Sequence, residues 1–149
     1  MPSNHKHMKA KTLFITDIIV LITLLLTSVS GLLFHIAGHQ ENHDYWHNCA
    51  IVHIVSSLAL TISVSIHIYG HWGWYKSLIA KGRGNKSRVT IYLSSIYIIT
   101  IITGFVLLNI SGANTNVGLW HYRIGIILTI ISAGHIIKRI PILRKSLKK

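Results

Sequence analysis

The chain has 149 residues, half of them hydrophobic, with only 12% charged and a formal net charge of +12. That length fits one compact unit, and a mean hydropathy of +0.50 excludes a soluble helical bundle, whose helices need polar outer faces. The basic residues cluster at three places along the chain instead of forming one patch, which excludes a nucleic-acid partner.

Four long apolar stretches, roughly 13–36, 48–69, 89–110 and 117–137, are each about 20 residues or longer, enough for a helix to cross a hydrocarbon core. The expected fold is therefore all-α, a transmembrane four-helix up-down bundle with both termini cytoplasmic. Residues 1–12 read as a basic cytoplasmic tail, 13–140 as the transmembrane domain and 141–149 as a second basic tail. The first stretch is too long for a signal peptide and shows no small-residue cleavage site. It is expected to run outward and end near Gly38. A short outer link holds Glu41 and Asp44, and the second helix returns inward as far as Trp72 or beyond. Gly82, Arg83, Gly84 and Asn85 form a turn-like cluster in the inner link. The third helix runs outward to about Asn109, residues 111–116 make a polar link, and the fourth stops before Pro141, which removes a backbone donor.

Orientation follows from the cations. Lys6, Lys9 and Lys11 precede the first helix. Lys76, Lys81, Arg83, Lys86 and Arg88 fill the middle link, and Lys138, Arg139, Arg144, Lys145, Lys148 and Lys149 follow the last helix. All lie on one side, and the fifteenth, Arg123, lies on the other; the positive-inside rule makes the rich side cytoplasmic. The expected location is the inner (cytoplasmic) membrane, multi-pass, in contact with lipid. Tyr45, Trp46, Trp120 and Tyr122 mark the outer interface, and Trp72, Trp74 and Tyr75 the inner one.

The residues that carry chemistry are histidines. His53 and His67 lie fourteen apart, and so do His121 and His135. Fourteen residues make almost four whole turns and rise about 21 Å, so each pair shares one helix face at two depths. The second and fourth helices run parallel and face each other diagonally across a four-helix bundle. His53 then pairs with His121 at the outer level and His67 with His135 at the inner one. Each pair can supply two axial nitrogens to a haem iron, and ionisable groups inside spans default to function. A single cysteine, Cys49, excludes c-type attachment, so two non-covalent b-type haems are expected. No catalytic residue is singled out, because two filled axial positions favour electron transfer over substrate chemistry.

Gly31 and Gly104 fall near the level of His53 and His121. They leave room for a porphyrin face or reflect close helix packing. The corresponding inner positions are Thr16, Asp17, Ser94 and Ser95, and Gly125 and Gly134 flank the ligands on the fourth helix. Arg123 is the candidate propionate partner outside; Lys76, Arg88, Lys138 and Arg139 are candidates inside or plain interfacial anchors. Asp17 caps its helix end or serves proton uptake, and His71 is a proton acceptor or an alternative ligand. His35, His39, His43 and His47, four apart, form a solvated loop or a site for quinol protons, a metal or a partner.

With its glycines, the pattern His53-x13-His67 and His121-x13-His135 resembles the di-haem four-helix bundle of cytochrome b, the N-terminal half of the quinol-oxidising cytochrome bc complexes. It is also similar to small stand-alone four-helix cytochrome b proteins of prokaryotes, over roughly residues 13–140. The resemblance implies electron transfer across the membrane between the quinone pool and a redox partner, as a subunit of an oxidoreductase. The later helices and Pro-Glu-Trp-Tyr loop of the large complexes are not in this sequence, so only the haem core carries over. The alternative is a transmembrane metal or ferric reductase, or a metal-ion-binding membrane protein using the outer histidine-rich loop.

Overall fold

A computed structural model of the chain describes residues 3–40, 42–81, 88–110 and 115–147. Among them it is all-helical, with no strand: α1 Ser3–Ala37, α2 His43–Gly70, α3 Trp72–Lys81, α4 Arg88–Leu107 and α5 Asn116–Leu147. Four helices contain segments long and apolar enough to cross a membrane, namely Thr12–Ala37, His43–Gly70, Arg88–Leu107 and Asn116–Pro141. α1 lies along α2 and also touches α5, and α4 lies along α5. Glu41, the 82–85 turn cluster and residues 111–114 of the polar link fall outside the described residues.

Serine and threonine inside apolar spans need partners, because an unmade hydrogen bond in hydrocarbon is costly. Most find one on their own helix. Thr16, Thr61, Ser63, Thr100 and Thr129 donate to the carbonyls of Thr12, Ser57, Ala59, Ile96 and Gly125 at 2.7–2.9 Å. The helix ends are built by short polar side chains. Asn42 caps α2 by accepting from the Tyr45 N–H at 3.0 Å, and Thr115 accepts from the Gly118 N–H at 3.1 Å before α5, which satisfies donors that a helix start leaves open.

Three boundaries differ from the sequence expectation. α1 begins at Ser3 rather than near residue 13, because nothing between them breaks a helix and Lys, Met and Ala favour one. The second predicted helix does not continue through Trp72. It stops at Gly70, and His71 (φ −98°, ψ 14°) turns its N–H onto the carbonyls of His67 and Ile68 before α3 starts. The fourth predicted helix does not stop before Pro141; α5 carries the proline inside it and runs to Leu147. Proline removes one donor, the partner of the Ile137 carbonyl, and the Leu, Arg and Lys residues beyond it favour helix enough to continue.

The interior is narrow. Among the described residues the buried apolar side chains are Ala37, Leu60 and Leu128, and the buried polar ones Thr16, Ser30, Ser63 and Ser132. Large aliphatic side chains point outward instead: Val55, Ile62 and Ile130 are 61%, 63% and 66% exposed. Such a surface would drive association in water; against lipid it carries no cost.

Candidate functional site

α2 and α5 bring two of the four predicted histidines face to face. The His53 and His121 ring centroids lie 6.2 Å apart at an interplanar angle of 74°. Each ring rests against a glycine of the neighbouring helix. A methyl group at Gly31 would sit 2.8 Å from His53 Cε1, and one at Gly104 would sit 3.3 Å from His121 Cε1. At both glycines the missing side chain lets an imidazole reach the backbone of α1 or α4, so the neighbour it admits is the histidine ring itself. Gly125 and Gly134 differ, since a methyl at either would meet nothing within 4 Å.

The residue before each of these two glycines fixes the ring it touches. Ser30 donates its proton to the Thr27 carbonyl at 3.1 Å, so its oxygen is left to accept from His53 Nδ1–H at 3.2 Å. Ser56 Oγ also lies 3.0 Å from Ser30 Oγ. Thr103 donates to the Ile99 and Thr100 carbonyls, both at 3.0 Å, and accepts from His121 Nδ1–H at 2.9 Å. The tautomer follows from these partners. With those hydroxyl protons given to helix carbonyls, the assignment is Nδ1–H on both rings, the tautomer that carries its lone pair on Nε2. Ser30 and Thr103 were missed in the sequence; the small-residue pairs Ser30-Gly31 and Thr103-Gly104 were the available signal.

Seven residues on, the axis closes. Leu60 stands midway between His53 and His67 and is 5% exposed, and Leu128 stands midway between His121 and His135 and is 6% exposed. The repeated pattern His-x6-Leu-x6-His was legible in both segments, and it sets an apolar layer between two polar levels.

At the second level His67 points its Nδ1–H at Asp17 Oδ1, 2.8 Å away across the α1–α2 contact. Asp17 thus serves a histidine instead of capping α1, which continues well before it. His71 stacks obliquely on the same ring, with centroids 4.7 Å apart. Burial holds the His71 imidazole below its ordinary pKa; His67 and Arg139 push the same way and Asp17 opposes them. His135 stands on α5 in the electrostatic field of Arg139, His67, Asp17 and Lys138. Ligand atoms of Asp17, His67 and His71 all lie within 4.8 Å of one another, which makes them the one group of three potential metal ligands among the described residues. Gly70 lets α1 approach here, since a methyl on it would lie 2.6 Å from Leu13 Cδ2.

The remaining candidates scatter. Arg123 is exposed and lays its guanidinium over Trp120, 5.4 Å from the ring centroid. Lys76, Arg88, Lys138 and Arg139 are exposed. Ser94 lies 3.4 Å from the Tyr75 hydroxyl, tying α3 to α4. The four-residue histidine stripe is split by the turn after Ala37: His35 stacks on Tyr122 at 3.7 Å, His39 Nδ1 lies 2.9 Å from the His35 carbonyl, and His43 and His47 stack at 6.5 Å on α2. Set against family models, characterised proteins and solved structures, this chain matches none.

Proposed function

We propose that this chain is a membrane cytochrome of b type that carries electrons between two bis-histidine haems, His53 and His121 holding one and His67 and His135 the other. The observation that carries the reading is the facing pair at 6.2 Å. Two imidazoles bound through about 2 Å to one metal put their centroids about 6 Å apart, and here each ring meets a hydroxyl at Nδ1. Gly31 and Gly104 seat the two imidazoles against the backbones of α1 and α4. Bound there, the two haems would supply one-electron chemistry at levels about 20 Å apart. The protein's own work is to orient the imidazoles, exclude water with Leu60 and Leu128, and face lipid outside.

In this reading the helices run up and down, the basic side is cytoplasmic, and the His53–His121 level is the outer one. The electron donors and acceptors are membrane quinone and a redox partner protein, the chain acting as the cytochrome subunit of an oxidoreductase.

A reduced-minus-oxidised spectrum of the purified protein in mild detergent, with haem stoichiometry, tests the proposal. Two non-covalent low-spin haems per chain are expected, and His53→Ala and His121→Ala should disturb the same one. A folded, haem-supplied sample without haem overturns it.

One observation favours a second reading. Asp17, His67 and His71 offer two imidazoles and a carboxylate within 4.8 Å, a donor set suited to a divalent first-row metal. That moves the metal-binding alternative from the outer histidine loop to the opposite end of the bundle. Stoichiometric zinc or iron retained by a haem-free protein, and lost in Asp17→Asn, would replace the haem assignment.

A further inference from the structure

The two histidine levels are held by different chemistry. At the outer level both Nδ1–H groups meet neutral hydroxyls, Ser30 at 3.2 Å and Thr103 at 2.9 Å. At the inner level the His67 Nδ1–H meets a carboxylate at 2.8 Å. Asp17 is also the sole acidic residue within the four apolar stretches of the sequence, since Glu41 and Asp44 precede the second stretch, and Asp44 stands in the first turn of α2. A hydrogen bond from ligand to carboxylate raises the basicity of the ligating nitrogen, whereas a hydroxyl does so far less. A more basic ligand stabilises the oxidised iron over the reduced one and lowers its reduction potential.

We infer that Asp17, hydrogen-bonded to His67 Nδ1–H, would make a haem held at the His67–His135 level the lower-potential centre of the pair. This rests on the haem reading above. Asp17 acts through His67 and is a positioning residue.

Cations oppose the effect. Lys138 and Arg139 lie near His135 and favour the reduced state, but neither is hydrogen-bonded to a ligand ring among the contacts of the described residues. Asp17 is bonded to the ligand itself and a third exposed, so its influence is delivered through the hydrogen bond and not through solvent.

The test is a spectroelectrochemical titration of the haem-loaded protein. Wild type should show two midpoints, with the lower one missing in His67→Ala and the higher one missing in His53→Ala. Asp17→Asn should raise the lower midpoint alone, by about the 59 mV that a tenfold change in a one-electron equilibrium represents. Asp17→Glu should restore it. A purely structural role for Asp17 would change haem content and leave the potentials where they were. If Asp17→Asn fails to retain the inner haem, the assignment by His67→Ala and His53→Ala decides alone. The inference is overturned if His67→Ala removes the higher midpoint, if the two midpoints coincide, or if Asp17→Asn shifts neither. Each of those outcomes leaves the haem reading standing, whereas a wild-type protein without haem fails that reading first.

Discussion

Gly31 and Gly104 stand in equivalent places, but they are not equally tight. A methyl at Gly31 would lie 2.8 Å from His53 Cε1, closer than carbon atoms sit, while at Gly104 the distance to His121 Cε1 would be an easier 3.3 Å. Overpacking of this kind costs about 1–3 kcal/mol when neighbours cannot yield. Gly31→Ala should therefore displace the His53 ring and lower haem retention and thermal stability in detergent, with Gly104→Ala affecting both less. Equal losses in haem retention and melting temperature would show that the two rings are held alike. Behind these glycines, Ser30 and Thr103 act through their oxygens because their own protons are already given to helix carbonyls. The sequence named the glycines and passed over the hydroxyls. Hydroxyl residues are common in membrane helices and most satisfy themselves locally, so only their places beside Gly31 and Gly104 set these two apart in the letters.

On α2 and α5 the same arrangement recurs: histidine, leucine seven residues on, histidine seven further. Seven residues are almost two turns, which keeps all three on one face. Leu60 and Leu128 are the only large apolar side chains buried among the described residues. Truncating either to alanine should cost about 2–5 kcal/mol, the usual range for a buried leucine, read as a shift in the unfolding transition in mixed micelles. It should leave the number of bound haems unchanged, since each leucine stands seven residues from the histidines of its own helix. Loss of haem in Leu60→Ala would mean that this layer positions the ligands as well as separating them. The ends of the elements were harder to anticipate. Pro141 is a helix breaker by propensity, yet α5 runs through it, because one missing donor is a small defect in a helix that is otherwise continuous. Conversely α2 ends at Gly70 without any proline, at a glycine where a methyl would meet Leu13 Cδ2 of α1.

Across the whole molecule, the bundle inverts the usual economy of a globular protein: polar groups lie along its axis and branched aliphatics cover its outside. Lipid as the solvent removes the reason to bury the aliphatics and leaves the axis free for groups that do chemistry. The orientation proposed from the cations can be checked with a probe already in the chain, Cys49, its single cysteine. It lies half-buried near the start of α2, beside a crevice of about 150 Å³ lined by Ser30, Leu33, Asn48 and Val52. A membrane-impermeant maleimide should label it in right-side-out vesicles and not in inverted ones, with Cys49→Ser as the control. Labelling confined to inverted vesicles would reverse the orientation, and with it the sense of inner and outer used here.

The four long apolar helices and the two histidine levels along α2 and α5 were legible in the sequence, because a hydrophobic run of membrane length and a fourteen-residue helical repeat are local properties that need no partner to be read. The facing of His53 on His121 agrees with what that repeat and the bundle geometry anticipated. Which group stands behind each ring was decided only by tertiary structure. Asp17 and His67 are fifty residues apart, and Thr103 and His121 lie on different helices. Their meeting depends on the rotation and offset of one helix against another, which is set by side-chain packing along the whole contact and leaves no periodic trace in either segment.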